Sequence, residues 1–195
     1  MATVVITGGS RGIGAAAVEL FAARGDRVVF LYEKNHEAAK AVAEKTGATP
    51  ICCDVSDGKA VKAAFESIGD VDILICNAGI MHFGLLSMME ESAWDRIFDV
   101  NVKGIYTCIN AAMPAFLKKH AGCVITVSSM WGQVGASCEA AYSATKGAVI
   151  ALTKVRSSCG GVVFSTEGLG NCSTQIHSRM GSIDNCGKSG VFLID

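Results

Sequence analysis

The feature that most constrains this chain is an alternation. Short, unbroken apolar runs rich in β-branched residues are separated by longer segments with apolar positions at helical spacing. The runs are TVVIT (3–7), RVVFLY (27–32), TPICCDV (49–55), VDILICN (71–77) and CVITVSS (123–129). A strand with one wet face alternates apolar and polar residues. These runs do not, so they predict strands covered on both faces, as in a parallel sheet between helical layers. The intervening segments fit helices. Between Ile13 and Arg24, Ala16, Ala17, Leu20 and Phe21 form one stripe, and Gly25 stops it. Residues 36–47 and 59–69 repeat the device, ending in Gly47 and Gly69. A longer helix is expected after Ser87, which has Glu90 at capping-box spacing. It should run past Asn101, with a kink or break near Gly104 or Pro114, and another helix should start near Ala140 or Tyr142. The expected fold is α/β, a Rossmann-like doubly wound parallel sheet with right-handed crossovers.

Residues 1–154 contain no linker and read as one domain. From Val155 to Asp195 the chain becomes Gly/Ser-rich and loses helical periodicity, an atypical C-terminal tail in which only GVVFS (161–165) and GVFLID (190–195) read as strands. The formal net charge of -1, with both signs spread along the chain, argues against a nucleic-acid partner. No apolar stretch is long enough to cross a bilayer, and the N-terminus lacks a signal-peptide pattern, so a cytoplasmic protein with no membrane partner is expected. The nine cysteines include no C-x-x-C pair and are expected to be mostly reduced and buried, with no metal site.

The first strand candidate runs straight into TGGSRGIG (7–14) and then a helix. Gly8, Gly12 and Gly14 let the backbone turn tightly and approach a ligand. The new helix then offers unpaired N–H groups and a partial positive charge, the means by which a dinucleotide pyrophosphate is held. Ser10, Arg11 and Ile13 belong to the same loop. Gly8-Gly9-Ser10-Arg11-Gly12 also fits the G-x-S-x-G elbow of α/β-hydrolases, but that fold needs several strands and an oxyanion loop ahead of the elbow. The second strand should end at the adenine ribose, where an acid selects NAD. Tyr32 stands at that position. Lys34 and Arg11 suit a 2′-phosphate while Glu33 opposes one, so NADP(H) is preferred to NAD(H).

Tyr142 and Lys146 are four residues apart, on one face of a helix. A free phenol has a pKa of about 10, and a nearby ammonium is expected to lower it, making a tuned proton donor. Ser129 closes a strand at the edge where open α/β sheets bind ligands. Met81, His82, Phe83, Trp131, Gln133 and Val134 are candidates for facing a substrate.

TGGSRGIG (7–14), CDV (53–55), NAG (77–79), WDRIFDVNVKG (94–104), VITVSS (124–129) and YSATK (142–146) occur together, and through them residues 2–154 resemble the short-chain dehydrogenase/reductase family, 3-oxoacyl-carrier-protein reductases in particular. The resemblance implies hydride transfer between a nicotinamide and a small-molecule carbonyl or alcohol. It implies that Asp54 and Val55 contact the adenine and that Asn77, Ala78 and Gly79 line the cofactor. It implies that Asn101 holds a water relaying protons to Lys146 and that Ser129 bonds the substrate oxygen. Tyr142 would move the proton, and Lys146 would hold the ribose and tune Tyr142. It further implies a homodimer or homotetramer. Family members follow the tyrosine helix with a strand and a Pro-Gly turn bearing a threonine for the nicotinamide amide. The only prolines here are Pro50 and Pro114. The tail therefore leaves a second reading open, a non-catalytic dinucleotide-binding module or an inactive truncated relative, with weakened oligomers and low stability.

Overall fold

The computed structural model describes residues 1–154 in full and the strand backbones at 162–166 and 192–194. Strand β1 (Thr3–Thr7) leads to helix α1 (Gly12–Ala23), β2 (Arg27–Tyr32), α2 (His36–Thr46), β3 (Thr49–Cys52), α3 (Gly58–Ile68) and β4 (Ile73–Cys76). Then follow a 3-10 turn (Leu86–Met88), α4 (Glu91–Phe98), a π-helical turn (Asp99–Lys103), α5 (Gly104–Lys119) and β5 (Gly122–Ser129). Helices α6 (Trp131–Val134) and α7 (Ala140–Lys154) precede β6 (Val162–Thr166) and β7 (Phe192–Ile194).

All pairings are parallel, in the order β3-β2-β1-β4-β5-β6, and β7 pairs β5 beyond the end of β6. The winding reverses between β1 and β4, whose register sets Val5 against Leu74. That reversal opens a crevice at the carboxyl ends of these two strands.

The unbroken apolar runs have the expected cause. Val5, Leu74 and Val124 pack with Phe65, Ile105 and Phe116 of α3 and α5 on one face. Val4, Ile6, Ile75 and Ile125 pack with Val18, Phe21 and Ala39 of α1 and α2 on the other. Each fully buried Val, Leu, Ile or Phe side chain contributes about 1.5–3 kcal/mol, so both helical layers are held by burial rather than by helix propensity.

Two boundaries differ from expectation. β3 stops at Cys52, because Asp54 turns back to accept hydrogen bonds from the Ser56 backbone N–H (2.9 Å) and hydroxyl (2.8 Å). The helix expected after Ser87 begins at Glu91 without a side-chain cap. Leu85, Leu86 and Met88 are more than half exposed and have no core to pack against, so capping-box spacing alone does not nucleate a helix there. The irregularity expected near Gly104 is there, as a π-helical turn through which α4 passes into α5 without a gap, and Pro114 is absorbed on the exposed side of α5. In the tail, β6 and β7 lie where strands were expected. The other residues from 155 onward lie outside the described residues.

Candidate active site

A groove of about 720 Å³ occupies the crevice at the β1/β4 reversal. Its floor is the glycine turn. Gly8 and Gly12 have φ of 68° and 55°, the left-handed region that favours glycine. A Cβ at Gly14 would collide with the Gly8 carbonyl oxygen, so α1 starts hard against the loop. The turn is braced from β4. Thr7 Oγ1 accepts from the backbone N–H of Asn77 (3.0 Å) and Ala78 (2.9 Å), and Asn77 Nδ2 donates to Thr7 O (3.0 Å) and Gly8 O (3.2 Å). Arg11, the residue before α1, is extended and gives no side-chain cap, and no acidic residue stands in the first turn. The donor set therefore fits an anionic pyrophosphate: backbone N–H groups, a helix N-terminus and glycines that leave room.

Gly8, Ser10, Arg11, Gly12 and Ile13 line this end of the groove, and Tyr32 and Lys34 line the next part. Asp54, Val55, Asn77, Ala78 and Gly79 follow, with Tyr142 and Lys146 at the far end. Gly14 acts from beneath, through packing. At the β2 end, Tyr32 Oη bonds His36 Nδ1 (2.9 Å), and Glu33 Oε1 pairs with Lys34 Nζ (2.8 Å) and Arg96 Nη2 (3.1 Å). Arg96 Nη2 also pairs with Asp54 Oδ2 (2.9 Å), and Nη1 donates to Ser56 Oγ (2.6 Å). Burial pushes the Asp54 carboxyl up, but the Ser56 hydrogen bonds and the Arg96 guanidinium outweigh it and hold it below the usual carboxylate range. Arg96 escaped sequence reading because it is 63 residues from Glu33, and no local pattern joins them.

At the far end, α7 is pinned to β5. Ser128 Oγ donates to Lys146 O (2.8 Å), and the Thr126 and Thr153 hydroxyls meet at 2.8 Å. A Cβ at Gly132 would lie 2.5 Å from Lys146 C, so α6 crosses α7 at backbone contact. Lys146 is 4% exposed, and its Nζ donates to Val127 O (2.9 Å) and sits 5.5 Å from the Tyr142 ring centroid. Burial pushes its pKa down from 10.5 to about 8.

The expected lowering of the tyrosine is overturned. Burial raises the Tyr142 phenol above its ordinary value of 10.0, the Ser129 hydrogen bond only partly opposes this, and the Glu139 charge adds to the rise. The ammonium lies over the ring and is spent on a carbonyl, so it does not contact the phenol oxygen in this state. Tyr142 is therefore a protonated acid at neutral pH, with the Ser129 hydroxyl beside it.

Asn101 is 1% exposed, in the π-helical turn. Its Oδ1 accepts from Ile80 N (2.8 Å), and its Nδ2 donates to Ile80 O (2.8 Å) and Thr145 Oγ1 (3.0 Å). The side chain is a brace between the loop after β4 and α7, with both polar atoms taken. Of the substrate-facing candidates, Met81 lines the groove, while Phe83 and Val134 are 76% and 71% exposed.

Fold and groove define a doubly wound α/β protein whose glycine turn has donors that fit an anionic pyrophosphate, with a Ser–Tyr–Lys cluster at the far end of the groove. The chain belongs to the short-chain dehydrogenase family, whose model matches residues 2–158. It is 38% identical over 161 residues to the 3-oxoacyl-[acyl-carrier-protein] reductase FabG of Staphylococcus aureus, covering 78% of this chain and 65% of that protein. The FabG of Escherichia coli is 35% identical over 156 residues, covering 77% and 64%. The chain thus spans just under two thirds of the length of these relatives. Among solved structures, a metagenomic short-chain oxidoreductase in complex with NADP superposes with a TM-score of 0.75 at 33% identity, covering 78% of this chain and 73% of that one. A short-chain dehydrogenase from Streptomyces avermitilis gives 0.77 at 28% identity, covering 83% and 62%. Among the described residues no helix is long and apolar enough to cross a membrane.

Proposed function

We propose that this chain is an NADP(H)-dependent carbonyl reductase or alcohol dehydrogenase, similar to 3-oxoacyl-carrier-protein reductases, with Tyr142 as general acid and base. The observation that supports it most is the pairing of a protonated, Ser129-bonded Tyr142 with a buried Lys146 at the end of the glycine-turn groove. The nicotinamide, when bound, supplies or accepts the hydride. The backbone N–H groups after Gly8 hold the pyrophosphate, and Asp54 and Val55 flank the adenine. Ser129 and Tyr142 direct two hydroxyls at the substrate oxygen, where negative charge develops as a carbonyl is reduced. Tyr142 gives up its proton from Oη to that oxygen, and Lys146, charged at neutral pH, stabilises the phenolate left behind. Asn101 keeps the loop after β4 and α7 at fixed separation. Lys34 and Arg11 at the groove mouth, with no acid at Tyr32, support NADP(H) over NAD(H). None of the six described cysteines is in a disulfide, which suits a reducing cytoplasm, and the exposed Tyr106 and Leu117 of α5 suit a homo-oligomer.

The test is dinucleotide oxidation with a panel of β-ketoesters, steroids and sugars, with NADPH and NADH, for the parent and Tyr142→Phe. Turnover should fall by about 10²–10⁴ in the variant with binding retained; equal turnover in both refutes the assignment. The family match ends at residue 158, and this favours one other reading, dinucleotide binding without turnover. Saturable NADPH binding with no oxidation across the panel would establish it.

A further inference from the structure

A carboxylate at the mouth of this groove is a misfit for a ligand with a 2′-phosphate. Glu33 lines the groove one residue past Tyr32, where the ribose would lie, and a partly exposed acid there should repel a phosphate. It does not stand alone. Its Oε1 is shared by Lys34 Nζ at 2.8 Å and Arg96 Nη2 at 3.1 Å. The two cations differ. The Lys34 side chain is 83% exposed, so its pairing is screened by water and entropically costly. Arg96, at 37%, is fixed by two further partners, Asp54 Oδ2 at 2.9 Å and Ser56 Oγ at 2.6 Å. It bridges the ends of β2 and β3 from α4, so its charge is held in place whatever Lys34 does. Two carboxylates and two cations sum to zero. Without Arg96 the cluster carries a net negative charge facing the ribose, and Glu33 loses its ordered partner.

We propose that Arg96 is a specificity-determining positioning residue: by pinning and neutralising Glu33, it lets the groove accept a 2′-phosphate and so sets NADP(H) over NAD(H). It acts through Glu33 and is not among the residues lining the groove. This rests on the dinucleotide reading above.

The experiment is fluorescence titration of NADPH and NADH, without substrate, on the full chain. The proteins are the parent, Arg96→Met, Arg96→Lys, Glu33→Gln and the double variant Glu33→Gln/Arg96→Met. Arg96→Met should raise the Kd ratio of NADPH to NADH about tenfold, more at low salt. Arg96→Lys should restore most of the parent ratio, and Glu33→Gln should lower it. In the Glu33→Gln background, adding Arg96→Met should move the ratio by no more than about twofold, because the charge being masked is gone. Loss of folded protein scales both affinities alike and leaves the ratio untouched. An unchanged ratio in Arg96→Met overturns the proposal. So does an equal shift with and without Glu33, which would make Arg96 a direct phosphate contact. A parent that binds neither dinucleotide sinks the functional reading itself, and this inference with it.

Discussion

Lys146→Met removes an ammonium from the interior while keeping the length of the side chain. Burial pushes the pKa of Lys146 down from 10.5 to about 8, so the folded state disfavours the charged form. A shift of that size corresponds to about 3 kcal/mol. Methionine relieves that cost but gives up the ammonium's hydrogen bond to Val127 O at 2.9 Å, worth about 1.5–3 kcal/mol. At pH 7 the two effects largely offset each other, so the variant and the parent should be of similar stability. The balance moves toward the parent in alkali. Between about pH 8 and 10.5 the unfolded lysine still binds its proton while the folded one has released it, so the parent gains stability as pH rises. Methionine has no such gain. From pH 7 to pH 10.5 the parent should gain about 3 kcal/mol on the variant, the desolvation cost of the ammonium being lost with its proton. Urea denaturation of both proteins under reductant, at pH 7 and 10.5, reads the difference. A gap that does not move toward the parent as pH rises would refute the reasoning.

Glu139→Gln removes a carboxylate charge that helps raise the Tyr142 phenol, so the phenolate titration followed by ultraviolet absorbance should move to lower pH; no movement would count against the coupling. Gly132→Ala should destabilise by about 1–3 kcal/mol in urea, because its Cβ would meet Lys146 C at 2.5 Å and the two backbones cannot both stay. Asn101→Ala breaks three hydrogen bonds, one buried and two part-buried, and should cost about 3 kcal/mol, with loosened amide exchange at Ile80. Unchanged exchange there would mean that the loop after β4 is held by something else.

The sheet was legible in the sequence because the signal for a strand buried on both faces is local: Val4, Val5 and Ile6 are apolar in succession since one helical layer covers Val5 and the other covers its neighbours. The glycine turn was legible for the same reason, its left-handed backbone and close helix start being properties of consecutive residues. Boundaries were less legible where packing decides. Ser87 and Glu90 have the spacing of a cap but no core beneath them, and the π-helical turn after α4 carries Asn101, whose bond to Ile80 is a contact across 21 residues.

Chemistry at the far end divides the same way. The order of residues alone determined that a tyrosine and a lysine share a helix face, that a serine ends the neighbouring strand, and that glycines stand between the first strand and its helix. Only the tertiary structure decided what those groups do electrically. Burial turned the phenol up instead of down, sent the ammonium to Val127 O, and brought Arg96 beside Glu33 and Asp54. Charge and desolvation act through space, so they depend on which side chains the fold brings together and how much water it leaves between them.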